Sequence, residues 1–344
     1  MKQGEATYVF PGANTARGYR SFFREGLKGL EQVFILKGGP GCGKSTLIRG
    51  LGRQLQEKGY DVEFWQCSAD TDSLDGVVIP ELKAAVIDGT APHTIDPAYP
   101  GAVEELVDLG ACWDSAELRR QKEEIIGLSK RISDRYAQCY ADLAEAGALL
   151  GRSRDNLAER GGDGGEITGL VFGRKGSRCR HLFASSVTPR GWVSFVEPLS
   201  RRAGRRVILV GPFGGGKEEI MADLAAEAER RHIFAELYHH PLAVEELQMI
   251  WLPELEIAVI AAEEAPPHRE GDVTVACGRA ADLSRAEAER ARVGELASEG
   301  GRHIAEAKAL HDKLEDCYRR AMDYGRVDEI KADLLTRLLE RAEE

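Results

Sequence analysis

The stretch that decides the fold is Gly38-Gly39-Pro40-Gly41-Cys42-Gly43-Lys44-Ser45-Thr46, which satisfies the pattern G-x-x-x-x-G-K-[ST]. An apolar run at residues 33–36 precedes it, and residues 47–55 place leucine and isoleucine at helical spacing after it. These flanks predict a strand, a tight loop and a helix in that order. The four specified positions occur by chance in a chain of 344 residues with a probability on the order of 1%, so the pattern is a specific signal.

This loop predicts a phosphate site. Its glycines let several backbone N–H groups converge on phosphate oxygens, and the first turn of the helix adds a partial positive charge. In this pattern the Lys44 ammonium reaches the β- and γ-phosphates, and the Ser45 hydroxyl binds Mg²⁺. We therefore predict that the chain binds Mg²⁺ and a nucleoside triphosphate. The predicted nucleotide-binding residues are Gly38, Gly39, Pro40, Gly41, Cys42, Gly43, Lys44, Ser45 and Thr46.

The composition is typical of a cytoplasmic protein. With 344 residues, 43% of them hydrophobic, the chain is long enough for two domains with separate cores. Its first residues show no signal peptide, and no run approaches the roughly 18 apolar residues of a membrane span. The seven cysteines form no C-x-x-C pair, which favours reduced thiols. A net charge of −11 argues against a general affinity for nucleic acid, so neither nucleic acid nor a membrane is an expected partner.

The chain contains two copies of one sequence unit. Residues 8–87 and 181–260 align without a gap at a shift of 173, and 21 of the 80 positions are identical. A unit of this length that occurs twice indicates a duplicated domain rather than a solenoid. Glycine-rich residues near 160–165 predict a linker. We therefore expect an intact copy with a helical extension at 1–160, a Gly/Arg-rich linker at 161–180 and a degenerate copy with its own helical extension at 181–344.

The loop of the second copy differs at the position of the metal-binding hydroxyl. This loop, residues 211–218, keeps the spacing glycines and the lysine, but Glu218 stands where the first copy has Ser45. A carboxylate at that position would repel phosphate groups beside it.

A second metal-site position changes in the same copy. The first copy has an apolar strand predicted at 82–87 that ends in Asp88, a form typical of an acid that holds Mg²⁺. The second copy has Ala261 at that position, with Glu263 or Glu264 as an alternative acid. We predict Mg²⁺-dependent chemistry in the first copy alone, with Lys44 and Asp88 as catalytic residues.

An acidic loop beside the intact copy supplies further candidates. Asp70, Asp72 and Asp75 follow an apolar strand predicted at 62–66, and the second copy has no aspartate there. The carboxyl ends of parallel strands converge on one edge of a sheet, so we predict that Asp70 and Asp72 orient an attacking water or contact a phosphate acceptor. The alternative is a solvated loop that caps the next helix. Thr90, two residues after Asp88, is the candidate γ-phosphate sensor.

Other features allow a structural or a functional interpretation. Arg17 lies in a T-x-R-G motif present in both copies, which favours a structural ion pair over a phosphate contact. His93 lies in a turn, either held by backbone hydrogen bonds or acting as a base. Apolar stripes at 118–150 and 310–338 predict amphipathic helices that pack between copies or between subunits of a homo-oligomer. The arginine-rich segment 174–206 favours pairing with acidic groups of the same chain over binding an anionic partner.

The whole chain resembles a little-characterised bacterial family of tandem P-loop ATPases. The resemblance rests on the stretches at 14–18, 38–46 and 78–93, which match N-T-A-R-G, G-G-P-G-x-G-K-S-T and V-I-P-x-L-x-x-A-V-I-D-G-T-A-P-H. The loop alone is also similar to that of nucleotide kinases, but no Asp-Gly-Phe-Pro-Arg segment follows. No Asn-Lys-x-Asp motif for guanine and no Leu-Ser-Gly-Gly-Gln signature of transporters is present, which favours ATP over GTP.

The expected fold is α/β, with two tandem P-loop NTPase-like domains, each a mostly parallel sheet flanked by helices. The expected activity is Mg²⁺-dependent ATP hydrolysis coupled to a conformational change. A small-molecule or nucleotide kinase with a separate phosphate acceptor is the first alternative, because the acidic loop could position a hydroxyl. A regulatory module that binds nucleotide without hydrolysis is the second.

Overall fold

A computed structural model describes residues 3–157, 179–278 and 283–341. By their contacts the residues form two compact units: the first comprises 1–12, 27–138 and 303–344, and the second comprises 13–26 and 139–302. Sequence similarity and contacts therefore divide the chain differently. The predicted linker at 161–180 lies almost wholly outside the described residues, and the predicted boundaries stay predictions.

Sixteen strands and eight helices are seen in the described residues. In chain order they are β1 (Ala6–Val9), β2 (Gly12–Thr15), β3 (Gly18–Ser21), α1 (Phe23–Gly26), β4 (Gln32–Lys37), α2 (Lys44–Glu57), β5 (Val62–Gln66), β6 (Leu74–Ile79), β7 (Ala84–Asp88), β8 (Glu104–Asp108), α3 (Ser115–Arg120), α4 (Lys122–Leu157), β9 (Cys179–Phe183), β10 (Ser185–Thr188), β11 (Gly191–Ser194), α5 (Val196–Ser200), β12 (Arg205–Val210), α6 (Lys217–Arg231), β13 (Ala235–His240), β14 (Ala243–Leu252), β15 (Ile257–Ala262), β16 (Val273–Ala276), α7 (Leu283–Arg319) and α8 (Tyr324–Glu340).

The first unit is built on a six-stranded mixed sheet in the order β1-β5-β6-β7-β4-β8. Strands β1 and β5 pair in parallel, as do β4 with β7 and β4 with β8, whereas β6 runs antiparallel to both neighbours. Leucines and isoleucines of α2 pack on the sheet, and α8 completes the same core with Val327, Leu334 and Leu338. The helical spacing of apolar residues after the loop is thus explained by one buried face.

The second unit repeats this plan. Its sheet has the order β9-β13-β14-β15-β12-β16. Replacing each strand of the first sheet by its counterpart about 173 residues later gives this same order. Again one internal strand, β14, is antiparallel to both neighbours. The identical topology supports the duplication inferred from sequence. The chain is therefore an α/β protein with two six-stranded, mostly parallel sheets flanked by helices.

The T-x-R-G motif forms the same tight turn in both copies. The Thr15 hydroxyl donates to the carbonyl oxygen of Gly18 at 2.6 Å, and Thr188 donates to Gly191 at 2.9 Å. Both glycines have a positive φ, 79° and 82°, which a residue with a Cβ disfavours. Arg17 pairs with Glu245, as the structural interpretation of the motif predicts.

The strand predicted at 82–87 is shorter than expected. Strand β6 ends at Ile79, residues Pro80–Leu82 form a 3₁₀ turn, and Lys83 adopts φ 47° before β7 begins at Ala84. Pro80 lacks the N–H that would continue the strand ladder, so the chain reverses there and returns antiparallel. The acid at the end of the strand, Asp88, is placed as predicted.

Both apolar stripes form helices, as predicted. Residues 118–150 fall in α3 and α4, and residues 310–338 fall in α7 and α8. Among the described helices, none has a stretch long and apolar enough to cross a membrane.

The described arginines of the segment 174–206 include several that pair with acids of the second unit. Arg202 contacts Glu236 at 3.1 Å, and Arg206 contacts Asp272 at 2.6 Å. These pairs support the interpretation in which the arginines neutralise acidic groups of the same chain.

Candidate functional site

The loop 38–46 joins β4 to α2 at one edge of the first sheet. Gly43 is the N-cap of α2 with φ 89°, and Gly41 has φ 70°. Both angles lie in the left-handed region, where a Cβ costs roughly 1–2 kcal/mol. These glycines turn the chain so that the first residues of α2 follow the loop directly. The strand, loop and helix therefore form as the sequence predicts.

The Lys44 ammonium lies inside the loop. It donates to the carbonyl oxygens of Gly38 and Gly39 at 3.1 and 2.8 Å, and it lies 3.6 Å from a carboxylate oxygen of Asp88. It also lies 3.6 Å from the Cys42 sulfur, and burial raises the pKa of that thiol, which therefore stays neutral. Only 9% of Lys44 is exposed. The loop thus holds one buried positive charge opposite one carboxylate.

Asp88 reaches Lys44 because their strands are neighbours. Strand β7 pairs with β4 in parallel, and Asp88 is in register with Leu36, two residues before the loop. One Asp88 oxygen accepts hydrogen bonds from both the backbone N–H and the hydroxyl of Thr90, at 2.9 and 2.6 Å. The other oxygen faces Lys44. Thr90 therefore orients the carboxylate, a contact that its predicted role as a sensor had not included.

The Ser45 side chain is held by a hydrogen bond from the start of β6. Its hydroxyl accepts a hydrogen bond from the backbone N–H of Leu74 at 2.9 Å, at the start of β6. The next residue, Asp75, is 5% exposed and lies 3.5 Å from Nε2 of His93, which is 6% exposed. Burial lowers the pKa of His93, but the carboxylates of Asp75 and Asp88 outweigh burial, so its pKa lies above the usual value.

The buried Asp75–His93 pair occurs in the first copy only. In the second copy Gln248 stands at the position of Asp75, and His268, which follows the corresponding strand after a two-residue insertion, is 77% exposed. The sequence predicted a turn histidine that is either held by backbone hydrogen bonds or acts as a base. The pair was not predicted, although the loss of Asp75 and Asp88 in the same copy was a signal for it.

Asp70 and Asp72 lie in the turn between β5 and β6. Asp70 accepts hydrogen bonds from the Ser73 hydroxyl and the Asp72 backbone at 2.9 and 3.0 Å, and it lies 3.5 Å from the Lys308 ammonium. The Asp72 side chain is exposed, and its carbonyl oxygen accepts from Arg49. These contacts give Asp70 a role in the turn. The predicted catalytic roles of both aspartates stay predictions.

Residues far along the chain cover the loop. A Cβ built on Gly39 would lie 2.5 Å from the Tyr318 ring, and one built on Gly41 would lie 2.7 Å from the Glu315 carbonyl oxygen. The Tyr324 hydroxyl donates to the carbonyl oxygen of Gly41 at 2.7 Å. The loop glycines are thus required by close packing as well as by their φ angles. The sequence did not predict this cover, although Tyr318 lies within the apolar stripe at 310–338.

The second copy has a matching loop with a different charge arrangement. The Lys217 ammonium donates to the carbonyl oxygen of Pro212 at 2.7 Å and pairs with the carboxylate of Glu218 at 2.9 Å. Both side chains are almost fully buried, 4% and 3% exposed. Beside them lies a cavity of about 390 Å³ that Ala261, Glu263 and other residues line. Here the lysine carries its own counter-ion inside the loop.

Within the described ranges, no group of three or more histidine, cysteine, aspartate or glutamate residues could hold a metal ion. This does not conflict with Mg²⁺, which keeps several waters and is bound through one or two carboxylates plus substrate phosphates. The hydroxyl of Ser45, the residue after Lys44, and the carboxylate of Asp88, 3.6 Å from the Lys44 ammonium, are oxygen donors of that kind. They fit a metal ion that arrives with a polyphosphate.

No protein-family model, no curated protein and no solved structure matches the chain. The resemblance to tandem P-loop ATPases therefore stays a prediction.

Proposed function

We propose that residues 38–46 form a phosphate-binding loop and that the first unit is a P-loop NTPase domain that hydrolyses Mg²⁺·ATP. The loop would bind the phosphates through its backbone N–H groups and the Lys44 ammonium. Asp88 and Ser45 would hold the metal ion, which neutralises the developing charge on the phosphates. The second unit is, in this proposal, a degenerate copy that binds no nucleotide and transmits the state of the first.

The contact between Lys44 and Asp88 carries the proposal. A buried ammonium that hydrogen-bonds to two carbonyl oxygens and the Cys42 sulfur of its own loop and faces a carboxylate 3.6 Å away is poised to exchange these partners for phosphate oxygens. A phosphate group offers more negative charge than the carbonyls, so the exchange is favourable. When Lys44 moves onto phosphate, Asp88 becomes available for the metal ion.

Hydrolysis is favoured over transfer to an acceptor by the placement of the acidic turn. Asp70 is engaged with Ser73 and Lys308, and Asp72 is exposed. A kinase would need a carboxylate directed at the acceptor hydroxyl, and the Asp70 carboxylate is instead engaged within its own turn and with Lys308. A kinase and a nucleotide-dependent regulatory module are therefore outcomes that the experiment must separate.

The test is phosphate release from ATP with and without Mg²⁺ in four proteins. Lys44→Ala and Asp88→Asn should each lower kcat/KM by about 100-fold or more, because each removes a charge that stabilises the transition state. Asn at 88 keeps the oxygen that accepts from Thr90, so its effect reports on charge. The matched control is the double variant Lys217→Met/Glu218→Gln, which removes the corresponding lysine together with its counter-ion. It should retain turnover within about twofold of wild type.

Each remaining outcome distinguishes one alternative. Binding of ATP that depends on Lys44, with no phosphate release, contradicts hydrolysis. Phosphate that appears only on an added metabolite then indicates a kinase, and tight binding without transfer indicates a regulatory module. Loss of turnover in the double variant would contradict the assignment of chemistry to the first unit.

A further inference from the structure

A cavity of about 470 Å³ opens beside the loop in the first unit. It is lined by residues 112–114, which follow β8, by Glu117 of α3, and by residues of the segment 320–326, which connects α7 to the start of α8. Backbone hydrogen bonds hold these segments together: the N–H of Asp114 donates to Ala321 at 2.8 Å, and the N–H of Asp323 donates to Cys112 at 2.8 Å. The cavity is therefore formed by fixed backbone rather than by side chains alone.

The cavity and the metal-side residues lie on opposite flanks of the loop. Strand β4, which leads into the loop, pairs with β7 on one side and with β8 on the other. Asp88 ends β7, and the segment 112–114 follows β8. The Tyr318 ring connects the loop to the cavity, because it lies against Gly39 and makes an edge-to-face contact with the Trp113 ring at 5.7 Å. A nucleotide whose phosphates lie across the loop thus has its metal end at β7 and its other end at β8.

The lining of the cavity suits an uncharged planar group better than phosphate. Asp114, Glu117 and Asp323 supply three carboxylates against the guanidinium groups of Arg320 and Arg326. With three carboxylates against two guanidinium groups, the lining would repel a polyphosphate. Trp113 is half-buried and lines the cavity, and nucleobases stack on aromatic side chains of this kind.

Arg320 provides a second planar group at the same cavity. Among the residues that the structure describes, its guanidinium makes no hydrogen bond or ion pair, whereas Arg326 donates to the carbonyl oxygen of Ala111 at 2.7 Å. Guanidinium groups stack on aromatic rings and purines alike. Trp113 and Arg320 therefore bring two planar groups to one cavity.

We propose that this cavity is the nucleobase subsite of the first unit and that the Trp113 ring stacks on a purine base. The inference rests on the proposed function, because it assumes that the triphosphate binds to the loop 38–46. It adds the part of the ligand that the loop cannot recognise: backbone N–H groups and Lys44 contact phosphates of any nucleotide, whereas a stacking platform distinguishes a nucleotide from a bare polyphosphate.

The experiment compares the affinities of two probes, Mg²⁺·ATP and Mg²⁺·tripolyphosphate, by isothermal titration calorimetry on the full chain. Trp113→Ala should weaken ATP binding by about tenfold or more and leave tripolyphosphate binding within twofold. Trp113→Phe should keep most of the ATP affinity because it keeps an aromatic face. Trp192→Ala is the matched control, since Trp192 is a 41% exposed tryptophan of the second unit, and it should change neither affinity.

The outcomes separate the two proposals. Lys44→Ala should weaken both probes, and unchanged tripolyphosphate binding by Trp113→Ala shows that this variant is folded. If Trp113→Ala leaves the ratio of ATP affinity to tripolyphosphate affinity unchanged, the nucleobase subsite is overturned. The proposal that residues 38–46 bind phosphate is unaffected by that result. A wild-type chain that binds neither probe would overturn the proposed function and the subsite with it.

Discussion

The ion pair in the loop of the second unit leads to a quantitative prediction. Lys217 and Glu218 lie 2.9 Å apart and are nearly fully buried. At an effective dielectric constant of about 20, two unit charges at that distance attract each other by about 6 kcal/mol. Each ion also loses several kcal/mol of hydration when it is buried, so the intact pair contributes little net stability. Removing one partner, however, leaves the other charge buried alone.

We therefore expect Lys217→Met and Glu218→Gln each to lower the free energy of unfolding of the second unit by about 3 kcal/mol. The effect of Glu218→Gln should be the smaller one, because Lys217 keeps the carbonyl oxygen of Pro212 at 2.7 Å and the Phe213 ring at 5.5 Å. The double variant should be close to wild type. Because two losses of about 3 kcal/mol vanish in the double variant, the resulting coupling energy is about 5–6 kcal/mol.

The assay is urea unfolding of the four proteins of this cycle. Hydrogen-exchange mass spectrometry on peptides of α6 assigns the transition to the second unit, because Lys217 and Glu218 begin that helix. The control cycle uses Arg17→Met and Glu245→Gln, a pair whose side chains are 56% and 54% exposed and should couple by less than about 1 kcal/mol. A coupling below about 0.5 kcal/mol at Lys217 and Glu218 would refute the reasoning that the loop neutralises its own lysine.

Three further predictions concern single residues. Gly41→Ala should abolish ATP turnover and lower the free energy of unfolding by about 2 kcal/mol or more. A φ of 70° disfavours a residue with a Cβ, and that Cβ would also lie 2.7 Å from the Glu315 carbonyl oxygen. Turnover and thermal denaturation measured on the same protein check both effects. Arg206→Met should destabilise the second unit by about 3–5 kcal/mol, because the Asp272 side chain, 1% exposed, stays buried without its bidentate partner. Urea unfolding measures this loss. In the same assay the double variant Arg206→Met/Asp272→Leu should recover much of it. Burial lowers the pKa of His239 from 6.5 to about 4, so on acidification the unfolded chain binds a proton before the folded chain does. The free energy of unfolding should therefore fall as the pH drops through this range, by about 2 kcal/mol at pH 5. His239→Gln should reduce the difference between the unfolding free energies at pH 7 and pH 5, and an unchanged difference would contradict the assignment.

Local sequence signals predicted the local structure well. The glycine loop, its flanking strand and its helix are specified by residues within about 25 positions of one another, and hydrophobic spacing reports on such short-range structure. The internal repeat went further, because two copies at a constant shift of 173 implied two sheets of one topology. The antiparallel strand β6 was not predicted, since pairing direction depends on the turn at Pro80 and Lys83 rather than on apolar pattern.

Long-range contacts of the site were out of reach of the same signals. The apolar stripe at 310–338 predicted an amphipathic helix, but it did not predict which surface of the protein that helix packs against. Any apolar face of matching size would satisfy the pattern. Tyr318 and Tyr324 therefore came as unexpected neighbours of the loop. The Asp75–His93 pair depends likewise on the order of strands in the sheet, which the sequence of one chain does not specify.

The interleaving of the two units has a consequence for how the site is made on the ribosome. At about 5–20 residues per second, residue 303 is synthesised roughly 10–50 s after the loop 38–46. During that interval the nascent first unit lacks Val327, Leu334 and Leu338 of its core, and the loop lacks Tyr318 and Tyr324. The second unit, whose residues end at 302, is complete before then. Translation thus completes the second unit first and the surroundings of the loop 38–46 last, so a premature stop before 303 would release a chain in which Tyr318 and Tyr324 never reach the loop.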